Sequence, residues 1–326
     1  MKAFVYHTYG PPDVLELVEV AKPTPRANEV LIRTYSTTVT AGDCRVRSLH
    51  MPTGFGFIAR LVLGVSRPRQ PILGSELAGK VESVGKDVSK FKVGDRVFAF
   101  TGASLGCHAE YKCMPENGAV ARMPTNLTFD EAAALSSSGT TALDFLRRAK
   151  IQSGEKVVVV GASGGVGTAA VQLAKHFGAD VTGVCSTANM DLVRSLGANR
   201  VVDYTKEDFT ANGETYDVIM DTAGTVPFSR SSGSLKERGR LVLVLSGLPD
   251  LLGAPWVSLT SRKKVIAGPA TGRADDLRFL ANLAEAGEFK SVIDRRYPFE
   301  KMADAHRYVD TGRKRGNVII TVKNDH

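Results

Sequence analysis

Apolar and polar positions follow two different patterns along the chain, and the change falls near residue 128. Before it, short apolar runs bounded by Gly and Pro predict strands at residues 29–33, 77–84 and 96–100, in a compact, partly open barrel. After it, strand and helix patterns alternate, which is typical of a doubly wound parallel sheet. The segments predicted in this second region are residues 157–160, 169–177, 180–184, 190–196, 200–203, 218–221, 240–245 and 264–267.

The remaining segments indicate that one domain is inserted into another. Further helical patterns lie at residues 130–135, 141–150, 275–285 and 301–311. The first of these has Thr128 as N-cap, with a Glu three residues later. The last strand, residues 317–322, is expected to rejoin the N-terminal region. We therefore expect a β-rich domain of residues 1–124 and 271–326, interrupted by an α/β domain of residues 125–270.

Two other segments stand out in the pattern. Residues 45–69 form a long arginine-containing insertion with an apolar centre, predicted to be a functional or mobile loop that caps a hydrophobic pocket; a short surface helix is the alternative. Residues 241–257 are the most apolar stretch, but Gly247, Pro249 and Asp250 interrupt it. That interruption predicts a strand followed by a loop, not a membrane span.

Composition and charge narrow the functional classes. A chain of 326 residues with 43% hydrophobic and 23% charged residues has room for two folded domains, which excludes wholesale disorder. The net charge of +8 suits an anionic ligand as well as general solubility. No basic stripe interleaved with aromatic residues indicates a nucleic-acid partner, and we expect no membrane partner. The 4 cysteines lack CxxC spacing, and the chain starts without a signal-peptide pattern, so we expect the cytoplasm.

A glycine-rich turn is the strongest chemical signal in the sequence. Four valines at residues 157–160 precede Gly161, Gly164, Gly165 and Gly167, and a helical pattern follows. This strand–turn–helix context favours a pyrophosphate cradle, because glycines allow close approach and the helix start offers free N–H groups.

Other readings of the same turn remain open. It is also compatible with a βα turn that binds nothing. A hydrolase elbow would make Ser163 a nucleophile, with Asp221 and His306 as partners. A P-loop is excluded, because no Lys-Ser/Thr pair closes the motif. We favour the nucleotide interpretation, because Gly167 completes an A-x-G-x-x-G pattern from Ala162 that a hydrolase does not need.

Several weaker motifs, in order along the chain, resemble one family. They are the segments at residues 74–79 (GSELAG), 84–97 (ending VGDRV), 106–111 (GCHAEY) and 140–142 (TTA). Together with the glycine turn, they resemble the medium-chain dehydrogenases/reductases, in the zinc-free quinone oxidoreductase and enoyl reductase branch. The resemblance implies a Rossmann sheet inserted into a GroES-like catalytic domain, and an oxidoreductase that transfers hydride. It also implies a homodimer formed by edge strands around residues 265–267.

The resemblance also locates positions where zinc-dependent relatives carry their metal ligands. Thr40, Ser75 and Ser137, or a neighbour of Ser137, occupy these positions here. Neutral hydroxyls are poor zinc ligands, and Glu76 alone cannot hold the metal. Another cluster, Cys107, His108 and Cys113, also lacks ligand-like spacing. We therefore predict no zinc.

The choice of nicotinamide cofactor depends on the residues that follow the strand at 180–184. Cys185, Ser186 and Thr187 stand where NAD-binding folds place a carboxylate, which favours NADPH, with NADH as the alternative. Arg194 and Lys206 are nearby cations, while capping of the next helix is the competing role for the two hydroxyls. The resemblance further assigns cofactor contacts to Thr141, Ser163, Val166, Tyr204, Ala223, Ser246, Gly247, Pro269 and Asn317.

Without a metal, hydrogen-bond donors must stabilise the oxyanion that develops in the substrate. That requirement favours reduction of a small hydrophobic enone, enal, activated alkene or quinone, in which the charge is delocalised. Thr40 is the first candidate near the reacting centre, Asp43 is expected to orient its loop, and Ser75 and Ser137 are further donors. The rival functions are a cofactor-binding sensor or partner protein with little turnover, and a Ser163 esterase.

Overall fold

The computed structural model describes residues 1–323 and divides the chain into two compact units. The first comprises Met1–Met51, Gly56–Thr140 and the chain from Gly272 onward, and the second comprises Pro52–Phe55 and Thr141–Thr271. The second unit is thus inserted into the first along the chain. Residues 125–140, which the sequence pattern placed in the α/β domain, group with the first unit.

Helices and strands account for most of the described residues. The strands are β1 Lys2–Val5, β2 Glu16–Glu19, β3 Glu29–Val39, β4 Glu76–Val84, β5 Arg96–Phe100, β6 Tyr111–Pro115, β7 Val120–Arg122, β8 Lys156–Val160, β9 Asp180–Cys185, β10 Arg200–Asp203, β11 Tyr216–Asp221, β12 Leu235–Leu243, β13 Lys264–Ile266, β14 Ile293–Pro298 and β15 Asn317–Thr321. The helices are α1 Ala41–Ser48, α2 Gly56–Leu63, α3 Phe129–Ala149, α4 Gly165–His176, α5 Met190–Ser195, α6 Phe228–Ser231, α7 Leu248–Thr260, α8 Ala274–Glu285 and α9 Met302–Asp310.

A seven-stranded sheet forms the centre of the first unit. Its order is β14-β15-β3-β4-β5-β7, with β6 also paired to β3. The last strand, β15, returns to pair antiparallel with β3, as the sequence pattern predicted. Alternating residues such as Val30, Ile32, Leu77 and Val97 are fully buried and form one core of this unit. The sheet therefore gives rigid support to the loops at the ends of β3 and β4.

A six-stranded parallel sheet forms the second unit. Its order, β10-β9-β8-β11-β12-β13, is the dinucleotide-binding order 3-2-1-4-5-6 when the strands of this unit are counted alone. The valines of β8 are buried between both neighbouring strands, as their unbroken apolar run predicted. The predicted α/β class and doubly wound sheet are confirmed. All six strands end at the same edge, and the order reverses between β8 and β11.

The two helices predicted at residues 130–135 and 141–150 are one continuous helix, α3. The polar residues between them do not end it. The Ser136 hydroxyl donates to the Ala132 carbonyl oxygen at 3.3 Å, and the Thr140 hydroxyl donates to the Ser136 carbonyl oxygen at 2.7 Å. Hydroxyls that bond back to the preceding turn satisfy themselves within a helix. The sequence-based break was therefore wrong.

Two apolar segments are also more helical than the sequence predicted. The insertion at 45–69 contains α2 and the end of α1, and α2 has no buried residue. After β12, residues predicted as a loop form α7, which starts with Gly247 as N-cap and Pro249 in its first turn. Proline is tolerated there because first-turn N–H groups have no partner within the helix. Among residues 1–323, no helix is long and apolar enough to cross a membrane.

Candidate active site

The glycine turn lies at the edge of the parallel sheet where β8 ends. Gly161 has a φ of 74°, in the region that favours glycine, and its carbonyl oxygen accepts a 3.0 Å hydrogen bond from the Gly164 amide. Gly164 is then the N-cap of α4. Gly165, Val166 and Gly167 form the first turn of α4, where backbone N–H groups have no partner within the helix. These amides and the positive end of the helix dipole constitute an anion site.

The spaces around the glycines fit a pyrophosphate. A Cβ on Gly167 would overlap the Gly161 carbonyl oxygen, so only glycine lets α4 pack this closely on β8. A Cβ on Gly164 would instead find its nearest neighbour at 3.5 Å, so this side of the turn is open. The first glycine therefore forms the turn, the last allows the packing, and the middle one leaves room for a ligand.

The hydrolase interpretation of this turn finds no support in its hydrogen bonds. The Ser163 hydroxyl accepts from Asn189 Nδ2 at 3.1 Å, and no histidine bonds to it among the described residues. The Asp221 carboxylate accepts from four backbone amides instead, those of residues 223 to 226. His306 is fully buried in the first unit, where its Nδ1 lies 3.4 Å from Cys44 Sγ.

Asp221 organises the loop that follows β11, a role that the sequence analysis missed. Its two carboxylate oxygens accept the amides of Ala223 and Gly224 at 2.9 Å, and of Thr225 and Val226 at 2.7 Å. The loop is thereby held against the glycine turn, since a Cβ on Gly161 would lie 3.1 Å from Ala223 Cβ. The signal for this role was an Asp that ends a buried strand and precedes a small-residue turn.

The hydroxyls predicted to favour NADPH are already partly engaged. Ser186 accepts from Asn189 Nδ2 at 3.2 Å, and the Thr187 hydroxyl donates to the Asp203 carboxylate at the end of β10. Ser186 makes no side-chain capping bond to the helical turn that follows, so the competing capping role is not observed. The hydrogen bond from Thr187 is the main reason that the pKa of Asp203 lies below its ordinary value.

The nearby cations are paired on the surface. Arg194 lies 2.8 Å from Asp191, and Lys206 Nζ lies 3.8 Å from Asp203. The Arg194–Asp191 pair is exposed and contributes little to stability. Lys206 is also exposed, although its partner Asp203 is buried, so both cationic side chains reach solvent and can exchange partners. The Tyr204 ring, 64% exposed, lies at the same strand end and is available for contact with a ligand.

The other predicted cofactor residues lie in both units. Half-buried Ser246 and exposed Pro269 follow β12 and β13 at the same sheet edge. Gly247 is buried, and its amide donates to Asp250 at 2.8 Å. Thr141 lies inside α3, where the second unit begins. Asn317 belongs to the first unit, where it accepts from the Ser138 hydroxyl at 2.7 Å and donates to the Val292 carbonyl oxygen at 3.2 Å.

Thr40 and Asp43 form a closed capping box at the start of α1. The Thr40 hydroxyl donates to Asp43 Oδ2 at 2.6 Å and accepts from the Asp43 amide at 3.1 Å. Asp43 Oδ1 accepts from the Gly74 amide at 3.1 Å, which ties α1 to the loop before β4. Asp43 thus caps its own helix and also fixes the loop before β4, a contact that the sequence did not predict. The hydroxyl proton of Thr40, the first donor candidate, is given to Asp43 in this structure.

Glu76 is the central residue of the first unit's site, and the sequence analysis considered it only as a metal ligand. It is fully buried at the start of β4. One carboxylate oxygen accepts from the Thr38 hydroxyl on β3, and the other accepts from the Ser137 backbone amide on α3. Burial raises the pKa of Glu76 to about 7, against the opposing effect of these two bonds.

Two hydroxyls beside Glu76 are left without partners. Ser75 precedes it in the chain, and Ser137 is held by its backbone; both are half-buried. Among residues 1–323, no group forms a hydrogen bond to either side-chain hydroxyl. They are therefore the predicted donors that remain free to bond a substrate oxygen.

The donor set does not fit a zinc ion. Glu76 is engaged through both oxygens and Thr40 is capped by Asp43, which leaves two neutral hydroxyls. Within residues 1–323, no three His, Cys, Asp or Glu side chains are grouped so as to hold a metal ion. This includes the Cys107 region, where His108 Nε2 instead lies 2.9 Å from the Thr38 carbonyl oxygen.

Known proteins match the chain along almost its whole length. Residues 26–125 match the family model described as alcohol dehydrogenase GroES-like domain, and residues 196–320 match the model described as zinc-binding dehydrogenase. A chloroplastic quinone-oxidoreductase homolog from Spinacia oleracea is 33% identical and aligns over 98% of each chain. A chloroplastic NADPH-dependent alkenal/one oxidoreductase from Arabidopsis thaliana is 32% identical over 98% of this chain and 79% of that one.

Solved structures agree with these relatives. The quinone oxidoreductase from Coxiella burnetii matches with a TM-score of 0.87 and 28% identity, over 99% of each chain. The agreement covers both the GroES-like sheet and the parallel sheet with its glycine turn, so it confirms the resemblance seen in the motifs. The chain therefore belongs to the medium-chain dehydrogenase/reductase superfamily, in its quinone oxidoreductase and enoyl reductase-like branch, and is an oxidoreductase.

Proposed function

We propose that the protein reduces small hydrophobic electrophiles (activated alkenes, enals, enones or quinones) with NADPH and without zinc. The observation that carries the proposal is the pair of free, half-buried hydroxyls, Ser75 and Ser137, beside a carboxylate unsuited to zinc. Hydroxyl donors suffice where the negative charge of the transition state is delocalised. The names of the relatives, which include a quinone-oxidoreductase homolog and an alkenal/one oxidoreductase, support the same substrate class.

NADPH, when bound, supplies a hydride to the electrophilic carbon. The residues that would hold its pyrophosphate are the first-turn amides of Gly165, Val166 and Gly167. Ser186 and Thr187 would hold the 2′-phosphate, with Lys206 released from its surface pair to neutralise it. NADPH should therefore bind more tightly than NADH. If a fluorescence titration shows that NADH binds more tightly than NADPH, the Asp203 carboxylate would instead accept a hydrogen bond from a ribose hydroxyl.

A screen of NADPH oxidation tests the proposal. The purified protein is offered quinones, enones, enals and enoyl thioesters, with ester hydrolysis and NADPH binding measured in parallel. Turnover of an enone, an enal or a quinone supports the reductase. Cofactor binding without any turnover would favour the sensor or partner protein, and ester cleavage lost in Ser163→Ala would favour the esterase. Metal analysis of protein purified without chelator should show no stoichiometric zinc.

The oligomeric state and the cellular compartment of the protein belong to the same proposal. We infer a homodimer through β13, since this three-residue strand is an edge of the sheet and the neighbouring α7 exposes Leu252, Trp256 and Leu259. The dimer is tested by the solution mass of the protein with and without Trp256→Ser. The four cysteines are free thiols, which fits a reducing compartment such as the cytoplasm.

A further inference from the structure

Glu76 joins three segments that are far apart in the chain. Its side chain bonds to Thr38 near the end of β3 and to the Ser137 amide in α3, while its own backbone continues from Ser75 into β4. The Thr37 hydroxyl also donates to the Glu76 carbonyl oxygen at 2.6 Å. The two free hydroxyls, Ser75 and Ser137, are thus placed by one residue, through the chain on one side and through a hydrogen bond on the other.

The two hydrogen bonds of the carboxylate favour its ionised form. A backbone N–H only donates, so the oxygen that faces Ser137 must accept. The other oxygen accepts the Thr38 hydroxyl proton when Glu76 is charged. A proton on Glu76 would have to be given to the Thr38 oxygen instead, and that hydroxyl would then need another acceptor. Protonation of Glu76 therefore replaces the charge-assisted hydrogen bond between Thr38 and Glu76 with a weaker bond between two neutral groups.

Several other titratable groups act on this carboxylate. Asp43 of α1 raises the pKa of Glu76, and Lys314, in the loop before β15, lowers it. Cys107 and His108 belong to the same electrostatic cluster: burial, with a smaller contribution from Glu76, raises the pKa of Cys107, and burial lowers the pKa of His108. The ammonium of Lys314, whose pKa is also lowered by burial, donates to the Gly316 carbonyl oxygen at 2.6 Å. Within this cluster, Glu76 is the carboxylate whose two oxygens accept hydrogen bonds from the Thr38 hydroxyl and the Ser137 amide.

We propose that Glu76 is a positioning residue, whose carboxylate holds the Ser75 and Ser137 hydroxyls where they donate hydrogen bonds to the substrate's carbonyl oxygen. The proposal rests on the proposed function. When hydride adds to the β carbon of an enone or enal, the C=C π pair forms a new double bond to the carbonyl carbon, and the carbonyl π pair moves to this oxygen. A proton from solvent then adds to the α carbon and restores the carbonyl group. The two serine hydroxyls stabilise the charge that develops on the oxygen. Glu76 itself does not touch the substrate.

Glu76→Gln tests this role, because glutamine keeps the size of the side chain but removes the charge and replaces one acceptor oxygen with an NH2 donor. We expect kcat to fall at least about tenfold above pH 7, as expected when oxyanion donors are misplaced. NADPH affinity, measured without substrate, should be unchanged. The native rise of kcat through the pKa of Glu76, about 7, should flatten in the variant. Glu82→Gln is the matched control: Glu82 lies on the same strand but is only partly buried and is paired with Lys22 at 2.9 Å.

A double-mutant cycle separates positioning from general stability. Ser137→Ala should lower kcat in the native protein but cost markedly less in the Glu76→Gln background, because the hydroxyl is already misplaced there. Additive effects, or an unshifted pH profile in Glu76→Gln, would overturn the proposal. If Glu76→Gln fails to fold, Glu76→Asp, which keeps the charge on a shorter side chain, should retain the pH profile at reduced kcat.

Different experimental results would refute the positioning role of Glu76 and the proposed function. If the native protein turns over enones or quinones while Glu76→Gln behaves like Glu82→Gln, only the positioning role is wrong. If the native protein oxidises NADPH with none of these substrates, the proposed function is wrong and the positioning role falls with it. The pH dependence of unfolding, measured without cofactor, reports the charge of Glu76 independently of turnover.

Discussion

Replacing Glu76 with glutamine should remove a pH dependence of the folding free energy that this one carboxyl imposes. Burial raises its pKa from 4.5 to about 7, so the folded chain holds the proton more tightly than the unfolded chain. The stability contributed by that proton is complete below about pH 4.5 and is lost as the pH rises to about 7. At about 1.4 kcal/mol for each pKa unit, the native protein loses about 3 kcal/mol across this interval.

Urea unfolding of the cofactor-free proteins, at a series of pH values from about 4 to 9, measures this loss. The free energy of unfolding of the native protein minus that of Glu76→Gln should fall by about 3 kcal/mol between about pH 4.5 and 7, and then stay level. Burial lowers the pKa of His108 and of His306, which work in the opposite direction as the pH falls, but both remain in the two proteins and cancel in the difference. A difference that stays flat with pH would refute the reasoning.

Three other predictions concern the rest of the molecule. Gly167→Val should weaken NADPH binding at least about tenfold, because its Cβ collides with a backbone carbonyl that positions the turn. Gly233→Ala, where a Cβ meets nothing within 4 Å, should bind normally in the same titration. Asp221→Asn should lower the free energy of unfolding by about 2 kcal/mol or more, because it removes the charge that accepts four backbone amides and places an NH2 donor against some of them. An unchanged midpoint of urea unfolding would contradict this prediction. Phe57→Ser with Leu61→Ser, both on the exposed face of α2, should raise the substrate KM and leave the NADPH Kd unchanged if this segment caps the substrate pocket. An unchanged KM in steady-state kinetics would exclude that role.

The predictable part of the fold depended on local signals. The four valines before Gly161 identified a buried strand, and the glycine spacing identified the turn and the start of α4. Predictions failed where the local signal was ambiguous. Residues 136–140 were left between two separate predicted helices, but the Ser136 and Thr140 hydroxyls bond to carbonyl oxygens one turn back and the helix continues. Residues after Gly247 were read as a loop because of their Gly and Pro, although proline is compatible with the first turn of a helix.

The candidate site was predictable in its residue types but not in its hydrogen bonds. The sequence identified Thr40, Ser75 and Ser137 as hydroxyls in the place of metal ligands, and all three lie in the first unit. It ranked Thr40 first, whereas the structure gives that hydroxyl proton to Asp43. It assigned Glu76 no part beyond metal binding, because nothing local to residue 76 shows that the side chain will be buried.

The sequence by itself determined the parallel sheet and the pyrophosphate turn, because hydrophobic period and glycine spacing act directly within about one βα unit. The hydroxyls that stand in place of zinc ligands, Thr40, Ser75 and Ser137, were located by the resemblance of motifs spread along the chain. Only the tertiary structure decided the pKa values and the hydrogen-bond partners of the buried carboxylates. The pKa of Glu76 and its contacts with Thr38 and Ser137 arise only when β3, β4 and α3 are packed together. Burial and hydrogen bonding are properties of the surroundings of a group, and distant segments supply those surroundings.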